Sequence, residues 1–143
     1  MKLTIETINN INVFENLTGA KVKDCITEGS KLIFIVEEIS LGKAIGKQGS
    51  NIKRASVVMK KEIQVVAYSD DVTKFVYNLI YPNKIDDIKL ENGIVNIITK
   101  DNISKGKLFG RGRENLKRIE EIVKRYFSDV KEIKILWKNK SRK

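Results

Sequence analysis

Two short glycine-bearing segments hold the chemistry that this chain advertises. Gly46-Lys47-Gln48-Gly49 and Gly110-Arg111-Gly112-Arg113 each interrupt a run of helix-forming residues and each carry cationic side chains. Glycine lets a loop turn tightly and lets a ligand approach the backbone, and the first N–H groups of a following helix have no intrahelical partner, so such a corner suits an anion. The chemistry on offer is non-covalent capture of phosphate. Covalent and metal chemistry find little support, because the chain has no histidine and a single cysteine, Cys25. No metal ligand set, cofactor or internal disulfide is expected. Cys25 reads as a small strand residue.

The charge agrees with an anionic partner. Among 143 residues, 28 are Lys or Arg and 18 are Asp or Glu, a net +10. The excess falls in the second half: residues 1–70 hold ten basic and eight acidic side chains, residues 71–143 eighteen and ten. Such a bias points to a polyanion. Apolar runs are about five residues long, far short of the ~20 needed to span a bilayer. A protein acting in the cytoplasm, with no membrane partner, is expected.

The two glycine segments belong to a repeat. A shift of 64 places 39–54 on 103–118 with eight of sixteen residues identical, among them Gly46 on Gly110, Asn51 on Asn115, Lys53 on Lys117 and Arg54 on Arg118. Two copies of about 65 residues indicate a duplicated small domain, spanning 1–69 and 70–138, with a basic tail at 139–143.

Each copy shows the same order of elements. In the first, apolar residues spaced mostly by three predict a helix over Leu3–Leu17, with Leu3, Ile5, Ile8, Ile11, Phe14 and Leu17 on one face. A hairpin over Lys21–Thr27 and Lys31–Glu37 follows, then a short helix Leu41–Ile45, a helix Asn51–Lys61 and a strand Glu62–Tyr68. In the second, Asp71 is the N-cap of a helix to Tyr81 stopped by Pro82. Ile85–Glu91 and Ile94–Lys100 flank the favoured turn Asn92-Gly93. Helices Ser104–Phe109 and Glu114–Phe127 and a strand Val130–Trp137 complete the copy. Phe34, Phe75, Tyr77, Phe127 and Trp137 are expected in the core, as are Ile52 and Ile63, which with Ile45 would also floor a groove beside the loop. No flexible linker separates the copies, so they are expected to pack rigidly.

Ile45-Gly46-Lys47-Gln48-Gly49-Ser50-Asn51-Ile52 resembles the signature loop of KH domains, which clamp about four nucleotides of single-stranded nucleic acid. The resemblance implies an α+β fold of two tandem type II (prokaryotic) KH domains, each α-β-β-α-α-β, with almost no linker. Such a tandem is similar to the RNA-binding half of the NusA family of transcription termination and antitermination factors, in its short archaeal form. The family's further polymerase-binding and S1 domains do not fit in this length. The implied activity is the binding of single-stranded RNA, nascent transcript above all, by a monomer with RNA polymerase or ribosomal components as further partners. The implied RNA-binding residues are Ile45, Gly46, Lys47, Gln48, Gly49, Ser50, Asn51, Lys53 and Arg54 in the first copy. In the second they are Gly110, Arg111, Gly112, Arg113, Asn115, Lys117 and Arg118.

One departure concerns the second loop, where the second glycine stands one place early and Arg113 occupies the position of Gly49. Arg113 either blocks close backbone approach or replaces it with a guanidinium–phosphate pair. Three other readings compete. Ribosomal RNA is the alternative target for the same fold, because fold alone does not select the RNA. A structural adaptor would instead use the basic face to bind an acidic protein. A nucleotide-hydrolysing enzyme would need a P-loop, but Gly42 and Gly46 are separated by three residues rather than four, and Gln48 stands where Ser or Thr should bind magnesium. The chain is read as no enzyme.

Overall fold

The computed structural model describes residues 4–137; Leu3 and the basic tail lie outside the described residues. The chain divides into two compact units, Met1–Ser69 and Asp70–Lys143. The first runs α1 (Ile5–Thr18), β1 (Val22–Glu28), β2 (Lys31–Val36), α2 (Leu41–Ile45), α3 (Ser50–Met59) and β3 (Glu62–Ala67). The second runs α4 (Val72–Ile80), β4 (Asp87–Glu91), β5 (Ile94–Thr99), α5 (Asn102–Phe109), α6 (Glu114–Tyr126) and β6 (Glu132–Trp137). The mixed α+β class and the order of elements are those expected, with one-turn helical segments inserted around α2 and before α6.

Each unit builds a three-stranded sheet, in the orders β1-β2-β3 and β4-β5-β6. The first two strands pair antiparallel through a two-residue turn, Gly29-Ser30 in one hairpin and Asn92-Gly93 in the other. Asn92 and Gly93 both take positive φ (53° and 80°), the twist that a tight hairpin prefers. The third strand returns parallel to the second, Leu32 opposite Ile63 and Val95 opposite Ile133. A parallel return needs a long crossover, and α2 with α3, or α5 with α6, supplies it. Each glycine loop lies within that crossover.

The first core gathers Phe14, Leu32, Phe34, Val36, Ala44, Ala55 and Ile63. Phe14 of α1 stacks on Phe34 of β2 with ring centroids 4.1 Å apart. Val95, Ile97, Leu108 and Val123 are fully buried in the second unit, as is Phe75, whose ring lies 5.8 Å from that of Phe127.

Several apolar positions depart from expectation. Ile5 is 78% exposed and Ile8 is exposed, while Phe14 is buried. An α-helix turns about 100° per residue, so a row spaced by three drifts round the axis and Ile5 ends about 180° from Phe14. Only Ile11, Phe14 and Leu17 reach the core. Tyr126 and Phe127 are half-buried. Tyr77 and Trp137 are not core residues; they are 44% and 46% exposed. Trp137 shares the alternating register of the buried Ile133 and Ile135, but it is the last residue of an edge strand, and that terminal position leaves its ring exposed. Cys25 is buried as expected, and burial first, then the charges of Asp24 and Glu6, push its thiol up to about 12. No helix among the described residues is long and apolar enough to cross a membrane.

Candidate nucleic-acid interface

Both loops follow one backbone path. Gly46 (φ 76°, ψ 172°) ends α2, and Gly110 (φ 70°, ψ 175°) ends α5 in nearly the same conformation. Two positions later, Gln48 (55°, 32°) and Gly112 (61°, 23°) are both left-handed, as are Gly49 (76°, 15°) and Arg113 (65°, 18°) after them. The loop therefore requires three positive-φ residues, and each copy meets it with two glycines and one non-glycine. The displaced glycine of the second copy leaves the path unchanged; only the position bearing the strain moves.

The first glycine is required for space as well. A Cβ on Gly46 would lie 2.7 Å from the Asn51 backbone nitrogen, and one on Gly110 would lie 2.9 Å from that of Asn115. Nothing lies within 4 Å of a Cβ placed on Gly49 or Gly112. The fourth position thus faces open space in the first unit and holds the Arg113 side chain in the second.

Asn51 and Asn115 fasten the corner. The Asn51 carboxamide donates to the Lys43 carbonyl at 2.6 Å, and that of Asn115 donates to the carbonyls of Lys107 and Leu108 at 3.0 Å each. They satisfy carbonyls at the C-terminal ends of α2 and α5 that lack helical partners. Arg54 donates to Asn51 Oδ1 at 3.4 Å and to the Leu17 carbonyl, and Arg118 donates to Asn115 Oδ1. Burial pulls the Arg118 guanidinium below its ordinary pKa. These four side chains, expected at the nucleic acid, bind the protein's own groups and hold the loop in place.

The remaining expected residues face outward or line the corner. Lys47, Gln48, Ser50, Lys53, Arg111, Gly112, Arg113 and Lys117 are exposed, and Ile45, Gly46, Gly49 and Gly110 are half-buried. The helix starts beside them are open in a specific sense. Thr4, Asp71 and Asp101 cap α1, α4 and α5 with side-chain oxygens, whereas α3 and α6 begin at Gly49 and Arg113 without a side-chain cap. The Ser50 and Glu114 N–H groups donate to the Lys47 and Arg111 carbonyls, and Glu114 adds a carboxylate to the first turn of α6; the positive ends of both helix dipoles nonetheless lie beside exposed cations, an arrangement that favours phosphate.

A groove runs from the second loop between α6 and β6, lined by Arg113, Leu116, Lys117, Glu120, Lys131, Glu132 and Ile133. Glu120 ties its two walls by accepting from the Ile133 backbone N–H at 2.8 Å. At the corresponding place in the first unit, Ser56 Oγ donates to the Lys61 carbonyl at 2.8 Å. Of the isoleucines expected to floor the first groove, Ile63 is buried in the core and the half-buried Ile52 packs against it, while Ile45 is half-buried beside the loop. Lys131, and Lys61 at the same point of the repeat, were missed by motif reasoning. Their signal is the tripeptide Lys-Glu-Ile, which opens both last strands at 61–63 and 131–133. It lies outside the 64-residue register because both α6 and the connection from it to β6 are longer than their counterparts after the first loop.

Known proteins give the arrangement a context. The KH domain family matches residues 10–91, from α1 through the first loop and into β4. A protein of Methanocaldococcus jannaschii named as a probable transcription termination protein NusA is 32% identical over 142 residues, covering 97% of this chain and 77% of that one. Its namesake from Methanococcus vannielii is 33% identical over 139 residues, 95% of this chain and 80% of the relative. The crystal structure of APE1850 superposes with a TM-score of 0.68 at 32% identity, over 95% of this chain and all of that one. With its glycine loop inside the matched segment and near-full-length relatives of one name, this chain belongs to the NusA family of KH-domain proteins.

Proposed function

We propose that the chain is a tandem of two type II KH domains, 1–69 and 70–138, joined almost without linker, that holds single-stranded RNA and acts on nascent transcript in termination or antitermination. The observation that carries this reading is the repeated corner: one backbone path, built twice, delivering an uncapped helix start among exposed cations. Relatives named as probable transcription termination proteins support the assignment to transcription. In this reading the amides of Lys47 and Gln48, and of Arg111 and Gly112, receive phosphates, helped by the side chains of Lys47, Lys53, Arg111, Arg113 and Lys117, while Asn51, Arg54, Asn115 and Arg118 position the loops. Ser50 and Ile45 border the bound strand. The tail at 139–143 adds phosphate contacts. The protein works as a cytoplasmic monomer, delivers RNA to polymerase or ribosomal components, and catalyses no reaction.

The test is Lys47→Asp combined with Gln48→Asp. Aspartate tolerates the left-handed conformation at position 48, so the fold is expected to survive. Affinity for single-stranded RNA, measured by fluorescence anisotropy, should fall by about tenfold or more. Unchanged affinity removes the first loop from the site. The log of the binding constant should also fall with the log of salt, with a slope of about −0.7 per phosphate neutralised.

A further inference from the structure

The second unit carries a row of cations and aromatic rings that its fold does not require. Trp137 closes β6 with its indole 46% exposed, and the Lys105 ammonium lies over the ring, 5.4 Å from its centroid. On the same helix, Phe109 lies under the Arg113 guanidinium at 5.5 Å. Lys105 and Phe109 are four residues apart on α5 and share a face. The row therefore leads along α5 into the glycine loop: Trp137, Lys105, Phe109, Arg113. The corresponding places in the first unit hold Ala67, Leu41, Ile45 and Gly49, and the same corner forms there from aliphatic side chains and a glycine.

We infer that Trp137, Lys105, Phe109 and Arg113 form a base-stacking platform for single-stranded RNA in the second unit. The inference rests on the RNA-binding reading above and adds what the second unit grips. Indole and guanidinium planes accept unpaired bases without regard to sequence; a base stacks on the side of each plane away from its present partner, and the Lys105 and Arg113 charges attract the neighbouring phosphates. Bases inside a duplex are already stacked, so the platform selects single strands. The first unit holds the polynucleotide by its backbone, and the second holds backbone and bases together.

Trp137 is the sole tryptophan, so indole emission reports on one end of this row alone. The full chain is titrated with oligo(A) RNA and with an abasic ribose-phosphate oligomer of equal length, reading both labelled-RNA anisotropy and tryptophan emission. Oligo(A) should alter the emission, and Trp137→Ala should weaken oligo(A) binding about tenfold while leaving the abasic oligomer unaffected. Trp137→Phe, which keeps a ring and guards against a folding defect, should recover most of the loss. Oligo(A) binding with unaltered emission and with Trp137→Ala at wild-type affinity overturns the platform and leaves phosphate capture standing. Equal weakening of both oligomers also overturns it, since the indole would then act through the fold. An oligo(A) that does not bind at all brings down the RNA reading together with the platform. Trp137 would then be assigned to a protein contact.

Discussion

Gln48 and Gly49 of the first loop correspond in the repeat to Gly112 and Arg113 of the second, and the backbone scarcely registers the exchange. All four residues are left-handed, with φ between 55° and 76°. What differs is what stands in the open space at the fourth position. The first unit leaves it empty, so a backbone can come close; the second fills it with a guanidinium resting over Phe109. One scaffold thus carries two different fourth positions: Arg113 keeps the loop path that Gly49 follows and adds a charged side chain to it. The lesson is that geometry at this corner is set by the first glycine and by the asparagine it packs against, which leaves the later positions free to specialise.

The largest expected effect tests what the loops share. Gly46→Ala and Gly110→Ala both force a Cβ onto an asparagine backbone nitrogen and also strain φ, so each should destabilise its own unit by about 3 kcal/mol. Gly49→Ala and Gly112→Ala meet open space and should lose only about 1 kcal/mol from conformation. The chain carries a separate reporter for each unit: Trp137 emission follows the second through urea denaturation, and Cys25 follows the first, since its buried thiol should react with a thiol reagent only after that unit opens. Equal losses at all four glycines would break the distinction between space and conformation.

A smaller effect tests what the loops do differently. Gln48→Gly and Arg113→Gly each relieve a non-glycine residue of a left-handed φ and should stabilise the fold by up to about 1 kcal/mol in urea melts. In RNA binding they should part company. Arg113→Gly removes a cation and should weaken affinity and reduce the salt slope, whereas Gln48→Gly should leave both unchanged.

The smallest effect concerns the helices that enter the loops. Asp101 caps α5, accepting from the hydroxyl of Ser104 at 2.7 Å, and that side-chain hydrogen bond is the main cause that lowers its pKa. A carboxylate whose folded pKa is depressed contributes stability above its ordinary pKa and loses it as pH falls through the lowered value. Ser40, at the start of α2, makes no such cap. Acidification below the ordinary carboxylate range should therefore speed amide exchange at the start of α5 before that of α2. Asp101→Ala should produce the same fraying at neutral pH.

The repeat, the order of elements and both loops were legible in the sequence because each leaves a local mark: glycines at fixed spacing, a Pro stop after α4, an Asn-Gly turn. Burial was less legible. A row of apolar residues three apart resembles a single face until the helical drift is followed over nine residues, which is how Ile5 came to be placed inside. Trp137 reads as core because it continues the inward alternation of Ile133 and Ile135, and the pattern does not show that the strand ends there with its last side chain left exposed. The contacts of Asn51 and Arg54 with the protein itself were not legible, because spacing does not show that Asn51 reaches the Lys43 carbonyl of α2 or that Arg54 reaches the Leu17 carbonyl of α1. Lys61 and Lys131 escaped because α6 and the connection after it are both longer than their counterparts in the first unit, which breaks the 64-residue register.

The interchange of glycine and non-glycine within the loop has a consequence for how such proteins are found. A search pattern spelled glycine, any two residues, glycine detects 46–49 and passes over 110–113, and the family match here stops at residue 91. At this corner the two copies agree in torsion angles more closely than in letters. Other chains catalogued with one RNA clamp can hold an unrecognised twin whose alphabet has slipped by a single place.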